Sequence, residues 1–357
     1  MVMAILAIIL TLILVIGIHE LGHALAARIF HVRISSISIG FGKPLIQWKT
    51  SSGCDWSWRM WPFGGYVQLL NSRATEVKPK DFPSCFDKKP IWNRVIILCA
   101  GAFANMITAW IAFVVVFYIG IESKIPQIQT VKSDSVAAHA GIEMGDRFTS
   151  IEGFSISSWQ DVGMQLIIYW GNPQVKIQVA KTTLQPRDLI LDLSQVKFGV
   201  KGGNLLTSLG ISPDLKSPKI TIKCPSLKEA IHQTNKTILH FICFFIMVFK
   251  QLLTGVIPFS MLLGPLGIFT ASVTSLSQGS VVFLFFIATL SLAVALVNLF
   301  PFPGLDGGHI VFAVIEKIRK KPISIAWEVL LHRLMIIVFC VLLVQLLMND
   351  LQRYFAG

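Results

Sequence analysis

Four stretches of this chain are long, apolar and almost free of charge, and nothing else constrains its fold so strongly. Residues 2–18 hold no charge and continue helically through His19 and Glu20; the others are 95–121, 281–300 and 334–348. A helix crossing a bilayer needs about 20 mostly apolar residues. Composition agrees: 54% of the residues are hydrophobic and 14% charged, against about 25% charged in a water-soluble domain. Soluble, collagen-like, disordered and disulfide-scaffold classes are excluded on the same figures. A fifth stretch, 238–258, is interrupted by Lys250 and follows the amphipathic 226–236.

Charge orients these segments. Between Arg28 and Arg94 there are 11 Lys/Arg against four acids, and Lys317, Arg319, Lys320 and Lys321 lie between the third and fourth apolar runs. Basic loops stay cytoplasmic, so both belong inside. The N-terminus, residues 122–236 and the C-terminus then fall outside. The net charge of +12 thus reports topology, and no nucleic-acid partner is expected. If 238–258 also crossed, the Lys317–Lys321 cluster would be expelled, so the expectation is four spans with 226–258 at the outer interface. No Lys or Arg precedes the first run, which also exceeds the usual signal-peptide core of about 7–15 residues; it is expected to be retained. Cys54 and Cys85 fall in the inner loop and no C-x-x-C occurs, which argues against a thiolate zinc site.

The chemistry concentrates in His19-Glu20-Leu21-Gly22-His23, an H-E-x-x-H at the inner end of the first run. Positions i and i+4 share a helix face, so both imidazoles can reach one metal. Glu20, one residue along, is placed to hold a water rather than the metal, and zinc acidifies such a water enough for a carboxylate to take its proton. The bland alternative is coincidence. Three ionisable groups at a membrane edge are costly, however, and are by default functional.

A catalytic zinc commonly takes three protein ligands. In Asn298-Leu-Phe-Pro-Phe-Pro-Gly-Leu-Asp306-Gly-Gly-His309, prolines and glycines break the third span at its inner end, and broken helices at membrane depth line polar cavities. Asp306 is the candidate third ligand and His309 its rival; the alternative for Asp306 is a solvated cap. Asn298 could contact a substrate backbone or an oxyanion, or serve as interhelical glue.

HELGH, NLFPFPGLDGGH and PFGGYVQLL (residues 62–70) together resemble the site-2 protease family, intramembrane zinc metalloproteases of the M50 type, and within it the bacterial type that regulates the sigma-E response. The segment 314–319 before Pro322 is similar as well, so the resemblance covers nearly the whole chain. It implies Zn2+ held by His19, His23 and Asp306, with Glu20 as catalytic base and Asn298 as a substrate or oxyanion contact. One departure is plain: the family's AGPxxN reads Ala100-Gly101-Ala102-Phe103-Ala104-Asn105 here, without the proline.

Two loops flank the site. Residues 37–39 and 56–60 alternate at strand period, with breaks at Gly40, Gly42 and Pro44 and at Pro62, Gly64 and Gly65. Such strands could pair with an unfolded substrate by strand addition. Outside, β-like runs at 128–131, 148–151, 175–179 and 189–193 surround Ser135–Gly141 and Gly145-Asp146. That pattern is similar to one PDZ domain, which could grip a peptide terminus. His139 falls in its helix as a packing or surface residue.

The expected fold is therefore an α-helical integral membrane protein. It has four transmembrane helices, a membrane-associated β-hairpin after the first, and one α+β PDZ-like extracytoplasmic domain. Its segments are 1–30 (first span with HExxH), 31–92 (re-entrant β region), 93–121 (second span), 122–196 (PDZ-like), 197–280 (linker and interfacial helix), 281–309 (third span with LDG) and 310–357 (basic loop and fourth span). The expected activity is zinc-dependent endoproteolysis of single-pass membrane proteins in a bacterial inner membrane, with both termini periplasmic and the active site near the cytoplasmic side. By resemblance the substrates are an anti-sigma factor after a first cleavage, or remnant signal peptides, filtered by size at the PDZ-like domain. The competing classes are a catalytically silent PDZ-bearing scaffold, which has no use for Glu20, and a metal transporter, for which the chain has no repeat.

Overall fold

The computed structural model describes residues 2–50, 53–181, 185–194, 196, 205–214, 216–321 and 323–356. The linker glycines Gly202 and Gly203, and Pro322, lie outside the described residues. The chain begins with helix α1 (Val2–Ile29), strands β1 (Ile34–Lys49) and β2 (Asp55–Leu69), and helix α2 (Ile91–Ile119). Next come β3 (Ile121–Lys124), β4 (Ile128–Val131), α3 (Val136–His139), β5 (Arg147–Ile151), β6 (Phe154–Ser155), α4 (Trp159–Ile168), β7 (Val175–Ala180) and β8 (Arg187–Leu191). The remainder is α5 (Leu205–Leu209), β9 (Ile211–Pro213), β10 (Lys219–Ile222), α6 (Leu227–Leu253), α7 (Pro265–Ser277), α8 (Ser280–Leu299), α9 (Asp306–Arg319) and α10 (Ile325–Ala356).

This is a helical membrane protein with small β-sheets. Among the described residues six helices are long and apolar enough to cross a bilayer. The sequence reading expects four spans, and the two additional helices are Leu227–Leu253 and Phe259–Ser277. The second of these is the least apolar of the six, with Ser260, Thr270, Ser272, Thr274, Ser275 and Ser277 along it. The chain divides into two compact units, Met1–Phe113 with Gly264–Leu347, and Val114–Leu263 with Met348–Gly357.

In the first unit, Ala7 and Val15 of α1 pack with Phe283 and Ile287 of α8. Thr11 and Ser272 satisfy each other's hydroxyls across α1 and α7 at 2.8 Å, as buried polar groups in an apolar bundle must. Leu12–Gly17 of α1 is π-helical. Such a stretch carries more residues per turn and shifts the face presented downstream, and it frequently marks functional sites; here His19 follows two residues later.

Strands β1 and β2 pair antiparallel, in the places the sequence alternates. The sequence reading breaks them at their glycines, whereas the structure carries both strands through as bends. Gly40 and Gly42 hold φ of 88° and 85°, and a Cβ on Gly40 would stand 2.8 Å from the Trp61 carbonyl, so only glycine fits that corner. Each bent strand thus pairs twice. Residues 36–39 lie between 55–58 on one side and 65–68 on the other, while 46–49 pair with 55–58. Residues 65–69 form an outer rail with no strand on their far side among the described residues.

The sequence groups 281–309 as one segment and expects its prolines and glycines to break the helix at the inner end. In the structure α8 ends at Leu299, and Asp306 is the first residue of a separate helix, α9. Pro301 and Pro303 lack the N–H that would continue the ladder. Gly307 and Gly308 fold so tightly under the turn that added Cβ atoms would lie 2.3 Å and 2.1 Å from the carbonyls of Phe300 and Phe302.

In the second unit β6, β5, β7 and β8 form one sheet in that order. Phe148, Ile151, Leu166, Ile177 and Leu191 are buried in its core. The strand-like runs read from the sequence coincide with β4, β5, β7 and β8. Helix α6 lies along α4: His240 stacks on Phe154 at 4.2 Å and sits 3.2 Å from the Gln165 amide. One turn from the end of α6, the Gln251 amide donates to the Ile167 carbonyl at 2.7 Å. The end of α10 also joins this unit, where Asn349 and Arg353 donate to the Phe259 and Ser260 carbonyls, each at 2.9 Å.

Candidate active site

Three chain segments of the first unit build the site. Helix α1 contributes His19, Glu20 and His23, all buried. Two glycines let α2 approach. A Cβ on Gly22 would stand 2.5 Å from the Ala100 carbonyl oxygen and 2.8 Å from Ala104 Cβ. A Cβ on Gly101 would stand 2.2 Å from His23 Nε2 and 2.8 Å from His19 Cε1. Small residues are how helices reach backbone contact in a bilayer; here they also keep clear the space in front of the imidazoles.

The start of α9 brings the third group. His19 Nε2 and His23 Nε2 each lie 3.2 Å from Asp306 Oδ2, and 3.2 Å from each other. Donor atoms bonded to a tetrahedral zinc at roughly 2.0–2.1 Å stand about 3.3 Å apart, so this near-equilateral triangle has the edge length of one face of a zinc tetrahedron. Of the sequence's two candidates for the third position, Asp306 joins the cluster; His309 lines the cavity and packs its ring edge-on to Phe312 at 6.1 Å. The tautomer of His23 also fits. Its Nδ1 donates to the Ile97 carbonyl at 2.8 Å; a carbonyl can only accept, so the proton sits on Nδ1 and the Nε2 lone pair is left for a metal.

Glu20 faces the outer rail of the hairpin. Gly65, Tyr66 and Val67 line the same cavity as its carboxylate. A Cβ on Gly65 would meet Glu20 Cγ at 3.2 Å and the Ser38 carbonyl at 2.8 Å, so β2 comes as near as a glycine permits. The cavity in front of these groups has a volume of about 430 Å³, and Asn298 lines it. Asn298 Nδ2 donates to Val294 O at 3.0 Å, one turn back in its own helix; that bond is not interhelical. Farther along the wall, Arg94 grips both carboxylate oxygens of Glu316 at 3.0 Å, tying α2 to α9. Arg73 donates to the Ile323 carbonyl and lies 3.3 Å from Glu328, tying the loop after β2 to α10.

Reasoning from sequence missed Gly22, Gly101 and Asn105 as parts of the site; it set the β region beside the metal without placing residues 65–67 against Glu20. A signal existed in the small residues Ala100, Gly101 and Ala104 followed by a lone amide, Asn105, in an apolar helix.

A buried H-E-x-x-H helix joined by a distant carboxylate, within a bundle of apolar helices, defines a membrane zinc metalloprotease. The comparisons give the same class: the model of peptidase family M50 matches residues 7–343, and the chain belongs to that family. It is 27% identical to Protease RseP of Yersinia pestis over 441 aligned positions, covering 97% of this chain and 98% of that protein. It is 26% identical to Regulator of sigma-E protease RseP of Escherichia coli K12 over 434 positions, covering 95% and 96%. A protein of Rickettsia conorii, provisionally named a zinc metalloprotease, is 30% identical over 366 positions, covering 99% of this chain and all of its own length.

Proposed function

We propose that the chain is an intramembrane endopeptidase that cuts single-pass membrane proteins within or beside their span, near the cytoplasmic face, with His19, His23 and Asp306 holding Zn2+ and Glu20 acting as base. The observation that carries this is the 3.2 Å triangle of donor atoms beside a buried carboxylate that is not part of it. Zinc, when bound, supplies Lewis acidity that polarises a peptide carbonyl and acidifies water. Glu20 takes the proton of the attacking water on a carboxylate oxygen and delivers it to the leaving amine nitrogen. The outer rail 65–69 orients an extended substrate by strand addition, and Asn298 donates to the substrate backbone or to the oxyanion.

An anti-sigma factor after a first cleavage, and remnant signal peptides, are the substrates this reading favours, by the family resemblance and by the sigma-E regulation in the relatives' names. The sheet β6-β5-β7-β8 is read as part of a single PDZ-like domain, within 122–196, that filters substrates by size or grips a peptide terminus. Four crossing helices, both termini periplasmic and a bacterial inner membrane complete the reading. The four-span count is supported by the hydrogen bonds of His240 and Gln251 of α6 to Gln165 and Ile167 of α4, and by the hold of Asn349 and Arg353 on residues 259–260. An intact Glu20 argues against the silent scaffold.

The test is cleavage of a single-pass substrate lacking an outer domain by purified protein in detergent, with bound zinc measured alongside. Glu20→Gln is expected to keep zinc and lose about 10²–10⁴-fold in rate. Equal inactivity of wild type and Glu20→Gln, both zinc-loaded, on every trimmed substrate would leave the scaffold.

A further inference from the structure

The two imidazoles are oriented from one helix, α2, but only one of them by an obvious partner. His23 Nδ1 is fixed by the Ile97 carbonyl. Two turns farther along α2, the fully buried Asn105 brings its amide nitrogen to 3.5 Å from His19 Nδ1. Its amide oxygen has no hydrogen-bond partner. A buried carbonyl without a donor costs about 1–3 kcal/mol, and such groups in native proteins call for an explanation.

The chemistry of His19 supplies one. To hold a metal through Nε2, a neutral imidazole must carry its proton on Nδ1. That N–H needs an acceptor, and the amide nitrogen is itself a donor. Half a turn of the carboxamide about its last bond exchanges nitrogen for oxygen at nearly the same positions. It then presents Oδ1 to Nδ1–H, giving His19 the acceptor it needs, and places the NH2 where the oxygen stood. We infer that Asn105 is the positioning residue for His19, accepting from Nδ1–H and so fixing the tautomer and ring plane in which Nε2 faces the metal. Outer-shell acceptors of this kind orient metal-binding histidines, and losing one costs about 10–100-fold in metal affinity. The assignment rests on the reading of His19 as a zinc ligand.

The experiment measures zinc affinity by chelator competition on the purified full-length protein in detergent. It compares wild type, Asn105→Asp, Asn105→Leu and, as a control, His19→Ala. Asp keeps an acceptor oxygen in nearly the same place, whereas Leu keeps the volume and suits a buried helix better. The expected order is Asn105→Asp within a few-fold of wild type and Asn105→Leu weaker by about 10–100-fold. A residue needed only for packing gives the reverse order, since a buried carboxylate is the costlier change. Leu binding zinc as well as Asp, or better, overturns the assignment while leaving the zinc site intact. Wild type and His19→Ala holding zinc equally would overturn both. Should Asn105→Leu fail to fold, Asn105→Met, an unbranched apolar side chain that adapts to irregular space, takes its place in the comparison.

Discussion

At the scale of single residues, the site is made as much by missing atoms as by ligands. Gly101 has no Cβ where one would stand 2.2 Å from His23 Nε2. Gly101→Ala is therefore expected to lower zinc affinity at least tenfold, read by the same chelator competition, with expression and helicity little changed, because alanine is a better helix former than glycine. Gly163, with nothing within 4 Å of an added Cβ, is the matched control at which alanine should leave zinc untouched. Asp87, on the wall of the cavity, offers a pH test. Burial raises its carboxyl pKa, but hydrogen bonds from the Ser72 N–H and hydroxyl more than offset this, and the group is held below the usual aspartate range. A depressed pKa contributes stability above the unfolded value and loses it as pH falls through the folded one. The loop at 70–75 is thus expected to loosen only in acid, and Asp87→Asn to show faster proteolysis there already at neutral pH. The HExxH ligands were legible because their spacing and chemistry are local. Gly101 and Asn105 were not, because their meaning depends on which helix packs against α1, and no spacing within one segment records that.

Among the elements, the hairpin and the outer strands were legible from alternation, and the break after Leu299 from its prolines. What alternation could not supply is that β1 and β2 bend and pair twice, leaving 65–69 as the rail beside Glu20. Charge parity was argued for one additional crossing; a pair of additional crossings, α6 and 259–277, leaves both basic loops on the same side. Parity alone therefore does not decide between four spans and six, and contacts must. With α6 bound along α4, a cysteine introduced at Ser260 is expected to react with a membrane-impermeant maleimide from the periplasmic side, in a chain whose native cysteines are replaced. Labelling only after the inner face is exposed would favour six crossings.

For the whole molecule, zinc is expected to stabilise one unit and not the other. A ligand bound only by the folded state adds RT ln(1 + [L]/Kd), or about 4 kcal/mol at a thousandfold excess over Kd. Hydrogen exchange on apo and zinc-loaded protein should show greater protection in α1, the first half of α2 and the start of α9. The β5–β7–β8 sheet, which contributes no ligand, should exchange alike in both; equal change in the two units would contradict the site's assignment to the first. The ligands have one further consequence. His23 and Asp306 are separated by 283 positions, so a ribosome must add all of those residues after His23 before the third donor exists. Until then the site offers only the imidazoles of His19 and His23, too few for a tight catalytic centre. A membrane protease whose third donor arrives with α9 is expected to stay inert until that helix has been made.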